Sequence, residues 1–81
     1  MTRELKTAAE IQAEVSRLIY EMDLVREDDA QIRVPLPIGT FGDPSGCNWT
    51  MMTFGGDAGS YLQGIERCVR EVQQRWNLMA Q

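Results

Sequence analysis

Apolar positions follow a helical period near both ends of the chain and a two-residue period between them. Ile11, Val15, Leu18, Ile19 and Met22 share one side of a helical wheel, with Glu10, Glu14, Arg17 and Glu21 opposite. Thr7 stands three residues before Glu10, the spacing of a capping box. The pattern predicts a helix over residues 8–23, with Arg17 placed to pair with Glu14 or Glu21. Residues 1–6 carry no such pattern and read as a loose tail.

A second stripe joins Tyr61, Leu62, Ile65, Cys68, Val69, Val72, Trp76 and Met79. It predicts a helix that begins at Asp57 or Ser60 and runs to Asn77. On its outer side Glu66 and Arg70, Arg67 and Glu71, and Glu71 and Arg75 stand four apart and can pair.

Between the helices, residues 32–39 (IRVPLPIG) alternate, with Ile32, Val34, Leu36 and Ile38 on one face and Arg33, Pro35 and Pro37 on the other. Both prolines withhold an N–H from the same edge, which predicts an edge strand that pairs through its other side. Asp43-Pro44-Ser45-Gly46 has the residue order of a type I turn. Residues 47–54 (CNWTMMTF) read as the returning strand. Residues 25–31 (VREDDAQ) lack the spaced oxygen ligands and turn glycine of a calcium loop and read as a solvated linker. The expected fold is a single α+β domain over residues 1–81, in the order α-β-β-α, with two helices packed on one face of an antiparallel hairpin.

The returning strand is apolar on both faces: Trp49 and Met51 point one way, Met52 and Phe54 the other. A hairpin half-covered by helices should show a polar outer face, and two strands alone are marginal in water. The outer edge of 47–54 carries no proline. A free edge and a spare apolar face predict pairing with another chain, most simply a second copy, giving a four-stranded sheet across a homodimer. Trp49, Met51, Met52, Phe54, Pro35 and Pro37 are the candidate interface residues, some as core and the rest as contact surface. The competing expectation is that the turn or the C-terminal NLMAQ folds back over this surface.

TFGGDAGSY, residues 53–61, places a glycine loop between strand and helix, where phosphate sites are often built. Gly55, Gly56, Gly59 and Ser60 are therefore candidate ligand-binding residues. The loop lacks the phosphate-loop spacing and its lysine, and Asp57 as N-cap would itself occupy the anion position. Gly55 and Gly56 read more simply as a tight reversal with positive φ.

Charge and composition narrow the chemistry. The net charge is −4, and the lysine Lys6 stands beside seven arginines. That balance opposes nucleic-acid binding. The chain has no histidine, so no Ser-His or Cys-His pair can form, and two cysteines without histidine make a zinc site a poor fit. Cys68 lies on the buried stripe, while Cys47 follows a turn glycine and is expected to be exposed. The opening MTRELKTAAEIQ has no signal-type apolar core, so a cytoplasmic chain with reduced cysteines is expected. The sequence thus points to a non-enzymatic protein–protein interaction module with no catalytic residues, metal or cofactor and no nucleic-acid or membrane partner. The alternatives are a small-ligand or anion-binding domain using loop 55–60, or an acidic inhibitor presenting Glu27, Asp28 and Asp29 to a basic site.

Overall fold

The computed structural model describes residues 3–42 and 46–79. It is a mixed α+β fold, with short strands β1 (Glu4–Lys6), β2 (Ile32–Arg33), β3 (Ile38–Gly39), β4 (Trp49–Thr50), β5 (Gly55–Gly56) and β6 (Trp76–Leu78) around helices α1 (Ala8–Tyr20), α2 (Asp23–Glu27) and α3 (Leu62–Arg75). A 3₁₀ turn, Ala58–Tyr61, leads into α3.

α1 starts at the expected capping box: the Thr7 hydroxyl accepts from Glu10 N, and the Glu10 carboxylate accepts from Thr7 N. The bond from Thr7 N to the carboxylate favours its charged form, so the Glu10 carboxyl sits below its usual range. The helix ends earlier than its periodicity suggests, because Met22 is extended (φ −66°, ψ 132°) and α2 begins anew after it. Residues 25–31 are therefore more than a linker: they include the end of α2, and Val25 and Ala30 are buried.

The core gathers Ile11, Val15 and Ile19 of α1 with Ile65, Cys68, Val69 and Val72 of α3 around the indole of Trp49. A Cβ on Gly64 would lie 2.7 Å from Met22 Sδ, so the missing side chain lets the Met22 side chain, between α1 and α2, lie close against α3. Cys68 Sγ reaches the same sulfur at 3.9 Å.

Two corrections concern the chain's ends. Residues 4–6 are not a tail but pair in parallel with β6, Glu4 opposite Trp76 and Lys6 opposite Leu78. α3 correspondingly stops at Arg75, and Trp76 turns to extended backbone (φ −132°, ψ 144°). Its ring has Lys6 Nζ at 5.1 Å and Arg75 Cζ at 5.2 Å, cation–π contacts that favour this exit. Leu62 and Met79, expected on the buried stripe, are exposed.

The hairpin forms in the expected antiparallel sense but as two separate rungs. Ile32 faces Gly56 at its base, and Ile38 faces Thr50 near its tip, both in one register. Residues 34–37 and 51–54 between them form no ladder. The prolines lie in this gap, so they interrupt the hairpin itself rather than guard its outer edge. The alternation slips there too: Ile32 is buried and Ile38 exposed, while Pro37, expected to face outward, is buried. Thr53, opposite this stretch, has φ +64°. Of the turn 43–46, residues 43–45 fall outside the described residues, and Gly46 has φ +92°.

Candidate functional site: the outer edge of residues 46–54

The two longer helices each hold one arm of the hairpin. From α1, Gln12 Nε2 donates to Val34 O (2.9 Å), and the Tyr20 hydroxyl donates to Ile32 O and accepts from Ile32 N. From α3, Gln73 Nε2 donates to Trp49 O at 2.9 Å.

That last bond belongs to a closed end. Asn48 Nδ2 donates to Leu78 O (3.0 Å) and Asn48 Oδ1 accepts from Leu78 N (2.7 Å), so one amide side chain stands in for a strand pairing. Trp49 Nε1 donates to Trp76 O, and Asn77 Nδ2 to Gly46 O. The C-terminal segment thus folds back over the first part of this edge, as the competing expectation held for NLMAQ. The outer edge of strand 47–54 is not free along its whole length.

This cover ends at Thr50 among the described residues. Among the described residues no hydrogen bond engages the backbone of Met51, Met52, Thr53 or Phe54. α3 runs alongside in the opposite direction, and a groove of about 510 Å³ opens between the two. Met51, Ile65 and Val69 are buried at its floor, while Leu62, Glu66 and Arg70 stand exposed on the helix wall. Among the described residues Glu66, Arg70, Arg67 and Glu71 form none of the ion pairs their spacing suggested. Arg75 turns instead to Glu14 on α1 (2.8 Å), which Arg17 also contacts together with Glu21. Arg17 and Arg75, beside the largely buried Glu14 carboxyl, hold it down at about 2.

The six interface candidates separate by burial. Trp49 is 1% exposed, and Met51 and Pro37 are also buried, so these three are core. Met52 is 60% exposed, and Phe54 and Pro35 are half-buried. By register Met52 stands opposite Leu36, also exposed, so the spare apolar face lies around these two side chains.

The glycine loop does not converge on one point. Gly55 and Gly56 pair with β2, and Gly56 has φ +67°, the conformation expected of a glycine here. A Cβ at Gly56 would meet Gln31 O at 2.2 Å, so the backbones approach closer than any side chain allows. Asp57 is not a side-chain N-cap: its carboxylate accepts from Gln31 N (2.9 Å), and its own N–H donates to Gln31 O (2.8 Å). Ser60 does not cap α3 either. Gly59 and Ser60 instead line a second hollow of about 590 Å³ with Met22, Leu24 and Arg67. At its edge the Tyr61 hydroxyl donates to Asp28, and that bond pushes the phenol up to about 12.

Both cysteines are buried thiols, Cys47 against expectation. The Cys47 thiol donates to Trp49 O at 3.3 Å. Burial pushes the Cys68 thiol up, away from a reactive thiolate. Among the described residues no cluster of three or more Cys, Asp or Glu side chains could hold a metal ion. None of the helices there is long and apolar enough to cross a membrane.

What sequence reasoning missed is that the outer edge of one strand divides into a closed half and an open half. The signal was present in Asn48 and Asn77, polar amides flanking apolar runs, whose use becomes visible only once 46–49 and 76–78 lie side by side. No protein family, curated protein or solved structure matches this chain.

Proposed function

We propose that this protein is a non-enzymatic interaction module that self-associates by strand addition at residues 51–54. One observation carries the reading: a backbone segment that is unpaired among the described residues faces an open groove with an apolar floor. Unpaired N–H and C=O groups beside apolar surface must keep water or take a partner, and an added strand satisfies both. The occupant is a second copy of the chain. The groove wall presents one acid and one base, Glu66 and Arg70, and a surface carrying both signs at this spacing complements itself across a two-fold axis. The two longer helices then lie under one face of the hairpin, and the dimer's sheet is four-stranded. Growth at the far arm is limited because Tyr20 and Gln12 already hold the backbone of Ile32 and Val34.

The test is solution mass by light scattering over a dilution series, for the native chain and for Met52→Lys. Met52 is exposed, so the variant keeps its fold, checked by circular dichroism. Near the axis two lysines would stand diagonally on one face of adjacent strands, within reach of each other's charge. The reading expects a native dimer that dissociates on dilution and a variant shifted toward monomer. A native chain that is monomeric at every concentration would sink it.

A further inference from the structure

From the spacing of strand and helix we infer the register of the two-fold interface: its axis passes at Met51, and Glu66 of each copy pairs with Arg70 of the other. The inference rests on the strand-addition reading and adds to it a charge code that selects the partner.

The direction of the backbone fixes the first part. Thr40 N donates to Asn48 O, and Ile38 stands opposite Thr50, so residues 48 and 50 spend their hydrogen bonds inside the hairpin. Alternate residues point the other way, which leaves Trp49 and Met51 facing outward. The Trp49 carbonyl is already taken by Gln73 and by the Cys47 thiol. Thr53, the next outward position, has φ +64° and bends away from strand geometry. Met51 is therefore the one position among the described residues of this edge that is outward, unpaired and without a positive φ. Antiparallel addition of an identical strand centres there, each Met51 exchanging N–H and C=O with its counterpart.

The helix supplies the second part. Gln73 is anchored at Trp49, and Leu62 and Phe54 line the far end of the same groove. From 49 to 54 a strand climbs about 16 Å at roughly 3.3 Å per residue, and from 73 back to 62 a helix climbs about 16 Å at roughly 1.5 Å per residue. The two therefore run level along the groove, and Met51 lies beside the turn at Cys68 and Val69. Glu66 and Arg70 flank that level on the groove wall, one on each side. A two-fold axis at Met51 reverses the partner's helix about the same level. Each Glu66 then meets the other copy's Arg70, and both are without an ion pair in the single chain among the described residues.

Charge reversal tests the register separately from the dimer. Glu66→Arg and Arg70→Glu are each made in the full chain, where both side chains are exposed. Each variant alone faces like charges at both contacts, and its dissociation constant is expected to rise at least about tenfold over the native dimer. Mixed in equal amounts they restore both attractive contacts, so heterodimers are expected at near-native affinity, read by native mass spectrometry. If the native chain dimerises but the single variants do so equally well, or the mixture shows no preference for the heterodimer, this register is overturned while strand addition stands. A native monomer throughout would overturn both.

Discussion

Residues 47–50 and 51–54 belong to one apolar run, yet the first half is enclosed and the second is open. In the first half Trp49 fills the core, Asn48 is bonded twice to Leu78, and Gln73 caps the Trp49 carbonyl. In the second half the same kind of sequence meets no backbone partner among the described residues. The difference comes from outside the strand. Among the described residues the C-terminal segment contacts the strand only as far as Trp49, and the prolines across the hairpin withhold pairing from the other side. Hydrophobicity alone therefore does not decide whether a strand is finished; its backbone accounting does.

The largest expected effect comes from emptying the closed half. Trp49→Ala removes a fully buried ring and its bond to Trp76 O, at a cost of about 3–5 kcal/mol. That is a large part of a small domain's whole stability, so the variant should unfold at low urea in an equilibrium titration. Gly56→Ala, at the base rung, forces a Cβ into Gln31 O from a left-handed backbone. About 2 kcal/mol should be lost, seen as a fall in urea midpoint with unchanged slope.

Asn48→Ala probes the comparison itself. Leu78 loses both partners of its backbone, so the fold should weaken by about 1–2 kcal/mol. The open edge should lengthen toward Trp49, and light scattering should find tighter self-association despite the lower stability. Weaker association in a folded Asn48→Ala would break the idea that the amide is what closes this edge.

The smallest effect is acid-linked. Glu14 ties α1 to Arg75 at the end of α3, and its carboxyl sits at about 2, below the usual 4.5, through the bond from Arg17 and then that from Arg75. A lowered carboxyl contributes stability above its usual range and loses it as pH falls from about 4.5 through about 2. Glu14→Gln should lower the melting temperature by about 4 °C at pH 7, and the gap should close by pH 2.

Much of the frame is legible in the amino-acid sequence. The capping box at Thr7, the stripes of Ile11 to Ile19 and Ile65 to Val72, and the antiparallel sense of the hairpin all follow from local patterns, which each segment carries by itself. The parallel pairing of β1 with β6 is not legible, because three residues have no period to detect and their partner lies at the other end of the chain. The break at Met22 and the slip near Pro37 escape for a related reason. Both are decided by what packs against the segment. Of the candidate site, the apolar strand is visible in the sequence, while its division at Thr50 depends on Asn48 and Gln73 meeting remote backbone. Asp57 shows the same limit: it sits where a helix cap belongs, but its carboxylate serves Gln31, just before β2.

The most direct test of the open half is amide hydrogen exchange, residue by residue, in dilute and concentrated solution. The account predicts that the Thr50 amide is protected at both concentrations, held by its pairing with Ile38. Met51 should exchange fast when dilute and become protected as concentration rises, with no change at Thr50. Met51 exchange that does not respond to concentration would contradict strand addition at this edge.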